Sequence, residues 1–297
     1  MASNGTWEFP PYTKTIHRSA YGAIDPKNPA NSAADKVVLV TGGNQGVGLG
    51  ISRAFVEAGA KAVVIAARRE NVLQQAKAEL EKLGSSKIIT VQANVVDEAA
   101  VNAAFEKAEQ EAGEVDIVVG NAGYLPIPGP AVSADLADWW KGFEVNIKGT
   151  LILFRAFMAH RGSNSPTFIS LNSGVAHAPP FPGMTGYANS KTGQAALIEY
   201  LQAENPDVRI VSQHPGVIAS EMNTKSAMPI SKDDVSLPAG FAVWLASPAA
   251  AWTAGRFLWS HWDVEELEKM KDDIVAKDEL KLRLNGWPKE VEAVIVP

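Results

Sequence analysis

Tyr187 and Lys191 stand four residues apart in Tyr187-Ala188-Asn189-Ser190-Lys191. On a helix that spacing puts both on one face. A phenol beside an ammonium is equipped for proton transfer. The ammonium favours phenolate and lowers the phenol's pKa from about 10, which suits Tyr187 to general acid or base work near neutrality. The spacing is common on ordinary helix surfaces, so it gains meaning only in company. Ser173 supplies a hydroxyl fourteen residues earlier, just after an apolar stretch at 167–171.

A second group of residues is built for anions. Thr41-Gly42-Gly43-Asn44-Gln45-Gly46-Val47-Gly48 places glycines at 42, 46 and 48 between an apolar run and a helical pattern. Glycine lets the backbone turn tightly and approach a pyrophosphate. The free N–H groups at the following helix start can then hold the negative charge. A carboxylate about 20 residues further on would bind the ribose 2′-hydroxyl of NAD. The chain instead reads Ala66-Ala67-Arg68-Arg69. Guanidinium groups suit a 2′-phosphate by charge and by fork geometry, so the expected dinucleotide is NADP. The plainer reading is that Arg68 and Arg69 begin a solvated helix.

These residues need a scaffold that gathers them. Val37-Val38-Leu39-Val40 has the unbroken β-branched character of a buried parallel strand. Ile51, Ala54, Phe55 and Ala58 follow at helical spacing. The alternation repeats, with strands expected at 62–66, 87–92, 115–119, 167–171, 208–213 and 255–260. Helices are expected at 71–83, 98–111, 187–204 and 238–245, with one long helix inside 134–160. Such a βαβα series predicts an α/β fold: a Rossmann-type doubly wound parallel sheet flanked by helices on both faces. Ligands then bind at the carboxyl ends of the strands. The glycine loop, Asn121-Ala122-Gly123, Ser173 and Pro215-Gly216 all fall at that edge. No composition break divides the series, so residues 36–260 read as one domain. Residues 1–35 are rich in Pro, Asn, Ser and Ala and carry Trp7, Phe9, Tyr12, Ile16, Tyr21 and Ile24. They read as an arm packed on the body. Residues 261–297 read as a C-terminal helical extension whose charge run, 265–271, is a solvated face.

Composition removes whole classes of function. The 297 residues are 46% apolar and 20% charged, which is enough for a sizeable core. With 27 basic and 33 acidic residues the net charge is −6, so no nucleic-acid partner is expected. Cysteine is absent, which removes disulfides, Cys-ligated zinc and thiol nucleophiles. No His/Asp/Glu cluster has metal-ligand spacing, so no metal is expected. No apolar run reaches the ~18 residues of a membrane span. Neither a signal peptide nor a lipidation address is present, and the sequon Asn4-Gly5-Thr6 reads as a chance match. A cytoplasmic location is expected.

Taken together these motifs resemble the short-chain dehydrogenase/reductase family from about residue 36 to 260. The glycine loop matches at Thr41, Gly42, Gly46 and Gly48, and the Asn-Ala-Gly motif at Asn121, Ala122 and Gly123. The family's catalytic Asn, Ser, Tyr and Lys match Asn146, Ser173, Tyr187 and Lys191, and its Pro-Gly loop matches Pro215 and Gly216. The arm at Tyr21-Gly22-Ala23-Ile24-Asp25-Pro26 and the stretch Trp262-Asp263-Val264 resemble a fungal branch. There are departures. Asn94 stands where an Asp near the adenine is usual, Gly120 replaces the first Asn before Asn121, and Ser220 replaces a common Thr. The Asp-Gly-Gly ending is missing.

The resemblance implies an NADP(H)-dependent oxidoreductase that interconverts a ketone or aldehyde and an alcohol. Tyr187 would exchange a proton with the substrate oxygen, and Ser173 would hydrogen-bond that oxygen. Lys191 would bind the nicotinamide ribose and tune Tyr187. Asn146 would hold a water linking Lys191 to solvent. The implied cofactor contacts are Thr41, Gly42, Asn44, Gln45, Gly46, Val47 and Gly48 in the first loop, Arg68, Arg69, Asn94 and Val95 beyond it, and Asn121, Ala122 and Gly123. Tyr187, Lys191, Pro215, Gly216, Val217 and Ser220 complete them. Phe181, Met184, Met222 and Met228 suggest a small apolar substrate. His177 either lines the pocket or bonds its own surroundings. Trp139-Trp140 points to subunit packing, with a homodimer or homotetramer implied. Two rivals remain: a dinucleotide-binding sensor or scaffold without turnover, and an isomerase or epimerase on the same fold.

Overall fold

The computed structural model describes residues 11–162, 165–180, 182–226 and 233–285. Trp7 and Phe9 of the arm, Phe181, Met228 and the Trp287-Pro288 ending lie outside the described residues.

Seven parallel strands form one sheet in the order β3-β2-β1-β4-β5-β6-β7. They are β1 (Val37–Thr41), β2 (Ala62–Ala67), β3 (Lys87–Gln92), β4 (Ile117–Gly120), β5 (Thr167–Leu171), β6 (Arg209–His214) and β7 (Phe257–Trp259). The order reverses at β1, whose Val38 pairs with Val63 of β2 on one side and Ile117 of β4 on the other. That reversal is the switch point at which open α/β sheets form ligand crevices. Alternate residues of β1 feed two separate cores. Val38 and Val40 pack with Ile51, Phe55, Phe241 and Trp244, whereas Val37 and Leu39 pack with Phe105, Phe157 and Ile198.

The first core lies under α1 (Gly46–Glu57), α2 (Glu70–Leu80), α8 (Ser236–Ala246) and α9 (Val264–Ala276). The second lies under α3 (Glu98–Ala112), α5 (Gly149–His160) and α6 (Thr185–Glu204). The predicted α/β class and the two-faced helix cover are what the fold shows. Side-chain caps mark several helix starts. Asp97, Asp135 and Asp263 accept backbone N–H groups of the first turns of α3, α4 (Leu136–Phe143) and α9, each such cap contributing about 1 kcal/mol.

One long helix was expected inside 134–160, and the chain departs from that. It runs as α4, a π-helical turn at Glu144–Lys148, and then α5. A π turn inserts one extra residue into the helical path, and the residue it turns inward is Asn146, with none of its surface exposed.

Residues 11–35 lie against the body. Ile24 is fully buried, and a Cβ on Gly240 of α8 would stand 2.3 Å from the Ile24 carbonyl oxygen. Ile16 forms an antiparallel bridge with Trp262, and the His17 N–H donates to the His261 carbonyl at 2.8 Å.

Candidate active site

A cavity of about 550 Å3 opens over the carboxyl edge of β1, β4 and β5. Its floor is the glycine loop. Gly42 and Gly46 have φ of +65° and +52°, a region that L side chains rarely adopt. Gly48 has a different constraint. A Cβ there would lie 2.2 Å from the Gly42 carbonyl oxygen and 2.5 Å from Asn121 Nδ2. Asn121 donates to the Thr41 carbonyl at 2.9 Å, and the Ala122 N–H donates to Thr41 Oγ1 at 3.1 Å. The loops after β1 and β4 are therefore sewn together. Thr41 does the sewing from behind the cavity wall. Asn44, Gln45, Gly46, Val47 and Gly48 face the cavity. No side chain caps the start of α1, so its first N–H groups remain open to an anion.

At the far end the two arginines part company. Arg69 hydrogen-bonds Gln45 Oε1 and lies 3.5 Å from Glu221 Oε2, while Gln45 Nε2 donates to the same Glu221 oxygen at 3.0 Å. Arg68 also lines the cavity, and its exposed guanidinium donates no hydrogen bond to the described residues. Asn94 and Val95 form the wall beside it.

Tyr187 and Lys191 occupy the opposite end, on the first two turns of α6. The Tyr187 hydroxyl sits 3.8 Å from Met222 Sδ. Burial pushes its pKa up to about 12, and the nearby Ser173 hydroxyl pulls it the other way. Lys191 is 4% exposed, and burial brings its pKa down to about 7. The expected lowering of the phenol by a neighbouring ammonium is thus not what this pair shows. Desolvation penalises both charged forms, and the ammonium is turned elsewhere. Lys191 Nζ donates to the Leu171 carbonyl at 2.9 Å and to Gln194 Oε1 at 2.8 Å, and lies 5.9 Å from the centre of the Tyr187 ring. Gln194, buried completely, also donates to Ser170 Oγ and Thr150 Oγ1 at 2.9 and 3.1 Å. Its place one turn after Lys191 on α6 was the available signal for it.

Ser173 caps the short turn after β5, its Oγ accepting the Val175 N–H at 3.4 Å. Asn146 stands behind the cavity rather than in its wall. Its Oδ1 accepts the Tyr124 N–H at 2.8 Å, and its Nδ2 donates to the Tyr124 carbonyl at 2.9 Å and to Ser190 Oγ at 2.8 Å. The side chain clamps the strand that leaves β4 onto α6. Gly123 runs between, since a Cβ on it would lie 3.4 Å from Asn146 Oδ1 and 3.8 Å from Lys191 Nζ.

The remaining wall comes from the loop after β6. Pro215 and Ser220 face the cavity, and Ser220 caps α7 (Glu221–Lys225) by accepting the Asn223 N–H at 3.1 Å. Gly216 and Val217 turn away from the cavity toward Asp233, to which the Val217 N–H donates at 2.7 Å. Tyr124, Lys141 and Lys225 join the wall near Tyr187 without having been anticipated, because they belong to no spaced motif. Lys225 Nζ and Lys141 Nζ lie 4.3 and 4.9 Å from the centre of the Tyr124 ring, whose hydroxyl bonds Asp138. This end is therefore mixed in polarity, although Met222 lines it and Met184 is buried nearby. His177 bonds its own surroundings, accepting from Trp259 Nε1 at 2.9 Å. Trp139 donates to Thr185 Oγ1 at 3.2 Å, while Trp140 is 56% exposed and stacks on Phe143.

Known proteins resemble this chain in sequence and in fold. The sequence model of a family described as short chain dehydrogenase matches residues 36–229. The short chain dehydrogenase/reductase AacuD of Aspergillus aculeatus is 33% identical over 267 residues, spanning 88% of this chain and 92% of its own. The short chain dehydrogenase andI of Emericella variicolor is 29% identical over 291 residues, spanning 93% and 97%. Among solved structures, a short-chain type dehydrogenase/reductase from Mycobacterium ulcerans superposes with a TM-score of 0.69 at 26% identity, covering 77% of this chain and 89% of its own. A short chain dehydrogenase from Burkholderia cenocepacia in complex with NADP shares the fold, with a TM-score of 0.68 at 24% identity over 76% and 96%. A parallel sheet with its crevice at the β1 switch point, a glycine loop that admits no side chain at Gly48, and the match over 36–229 lead to one conclusion: the chain belongs to the short-chain dehydrogenase/reductase family of oxidoreductases.

Proposed function

We propose that the cavity binds NADP(H) and that the protein interconverts a carbonyl compound and an alcohol, with Tyr187 as general acid in the reducing direction. The observation that carries this reading is the layout of one cavity. Arg68, whose guanidinium donates no hydrogen bond among the described residues, lines the same cavity as the glycine loop, Tyr187 and Lys191. The residues fit such a cofactor. The uncapped start of α1 and the close approach enforced at Gly48 suit a pyrophosphate. Arg68 suits the 2′-phosphate, because among the described residues its charge is not paired with a carboxylate as that of Arg69 is. The NADP-bound relative from Burkholderia cenocepacia supports the same choice. Bound NADP(H) supplies the hydride.

The protein's own residues place and polarise the substrate. A phenol held up to about 12 is fully protonated at neutral pH and can donate to a carbonyl oxygen. The Ser173 hydroxyl, which sits behind the cavity lining and influences Tyr187, would hydrogen-bond the same oxygen. Lys191, with a pKa near 7, can gain or lose a proton during turnover. Asn146 keeps Tyr124 and α6 in register around them. Met222 supports an apolar part in the substrate. The exposed Trp140 and Leu136 on α4 support association with a second copy.

The test is a fluorescence titration with NADPH and with NADH, followed by NADPH consumption against a panel of aldehydes and ketones. Tight NADPH binding, weak NADH binding and turnover of at least one carbonyl are expected. Binding of neither dinucleotide would overturn the reading.

A further inference from the structure

Asp233 lies just before α8, and its side chain is 1% exposed. A buried carboxylate is stable only when paired and hydrogen-bonded, and Asp233 draws its partners from three distant segments. Arg18 of the arm donates through Nη1 to Oδ1 at 2.9 Å. His261 Nε2 lies 2.9 Å from Oδ2. The Val217 N–H donates to the same Oδ2 at 2.7 Å, and the Asp233 N–H returns a bond to the Val217 carbonyl at 3.3 Å. Gly216 is part of the fit. Its φ is +95°, and a Cβ there would stand 2.7 Å from Asp233 Oδ2 and 3.1 Å from His261 Cε1.

The arm holds this region at further points. The Arg18 carbonyl accepts the Asp234 N–H at 2.7 Å, and the Ala20 N–H donates to Ser236 Oγ at 3.0 Å. The segment so held leads directly to the cavity. Pro215, Ala219 and Ser220 form its wall, and Met222 beyond them touches the Tyr187 hydroxyl. Arg18, Asp233 and His261 all lie outside the matched family segment, 36–229.

We propose that Asp233 is a positioning residue for the 215–222 wall of the cofactor cavity, and that Arg18 makes the arm a working part of that wall. The inference rests on the reading that the cavity holds NADP(H). Asp233 fixes Val217 through its backbone, and thereby sets how closely Pro215 and Ser220 approach a bound dinucleotide. Arg18 supplies the charge that keeps the carboxylate in place. Without it, Asp233 keeps His261 and the Val217 N–H among the described residues, and the wall loosens.

The experiment compares the full-length wild type with Arg18→Met and Arg18→Lys. Arg18 is 38% exposed at its side chain, so Met can retain the packing of the stem while removing the charge. Four quantities are read: melting temperature, hydrogen exchange of the Val217 amide, the NADPH dissociation constant, and kcat against KM for a carbonyl substrate. Loss of a hydrogen bond to a buried carboxylate should weaken NADPH binding about tenfold in Arg18→Met. Val217 exchange should accelerate by a similar factor, and Arg18→Lys should recover most of both. A lower melting temperature with unchanged NADPH affinity would make Arg18 a structural tie alone and overturn the proposal. So would unaltered Val217 exchange. If the wild type binds no dinucleotide, the functional reading fails separately, and the positioning claim stands or falls on Val217 exchange.

Discussion

Replacing Arg68 by Ala separates the two arginines at the end of β2. Both were candidates for the 2′-phosphate, but Arg69 is bonded to Gln45 and lies 3.5 Å from Glu221, whereas Arg68 offers its guanidinium to the cavity. A hydrogen bond to a charged group contributes about 1.5–3 kcal/mol, and each 1.4 kcal/mol is tenfold in affinity. Arg68 is solvent-exposed, so screening favours the lower figure. Arg68→Ala should therefore raise the NADPH dissociation constant by roughly ten- to thirtyfold. NADH, lacking the phosphate, should bind within about twofold of wild type. Arg69→Ala breaks an exposed pair worth about 0–1 kcal/mol and should shift NADPH by no more than about fivefold. The assay is a fluorescence titration of all three proteins with both dinucleotides at two salt concentrations. Equal weakening of NADPH and NADH in Arg68→Ala, or a larger loss in Arg69→Ala, would refute the division of labour.

Tyr187→Phe should leave NADPH binding within about twofold and cut turnover by a hundredfold or more, as expected on losing a general acid; retained turnover in a steady-state assay would count against the assignment. With the phenol held up to about 12, alcohol oxidation, which needs phenolate, should climb with pH through the alkaline range while carbonyl reduction stays level near neutrality, and initial rates in both directions from pH 6 to 10 check this. Lys191 titrates near 10.5 when unfolded but near 7 when folded, so between those values the unfolded chain binds more protons and stability rises with pH. Urea unfolding should accordingly show wild type gaining on Lys191→Met between pH 7 and 9. Asn146→Ala leaves part-buried Tyr124 backbone groups unpaired and should cost about 1–3 kcal/mol in the same assay, together with a loss of turnover.

Much of this architecture was readable from the chain. Unbroken runs such as Val37-Val38-Leu39-Val40 announce strands buried on both faces, and the glycine spacing after them marks the crevice at the switch point. These signals are local, and parallel sheets repeat them at every crossover. Less readable features depend on depth or distance. The four-residue spacing of Tyr187 and Lys191 says that they share a helix face. It does not say that the ammonium turns to Leu171 and Gln194, nor that desolvation outweighs the pair's attraction. The π turn at Glu144–Lys148 breaks what reads as one long helix. Lys141 and Lys225 meet around Tyr124 from two separate helices, α4 and α7, with no shared pattern. Arg18 and Asp233 are 215 residues apart, beyond any motif.

The arm's attachment also has a consequence for how the protein is made. His17 reaches its partner Asp263 across 246 residues of chain, and Ile16 bridges Trp262. A ribosome adding about 5–20 residues per second needs roughly 12 to 50 s between synthesising the first and the second of these partners. Throughout that interval Tyr12, Ile16 and Tyr21, which end packed against the large core, have no surface of α9 or β7 to cover them. The arm is thus synthesised well before its partners and is among the last segments to settle, so the protein's demand for chaperone protection should be concentrated there.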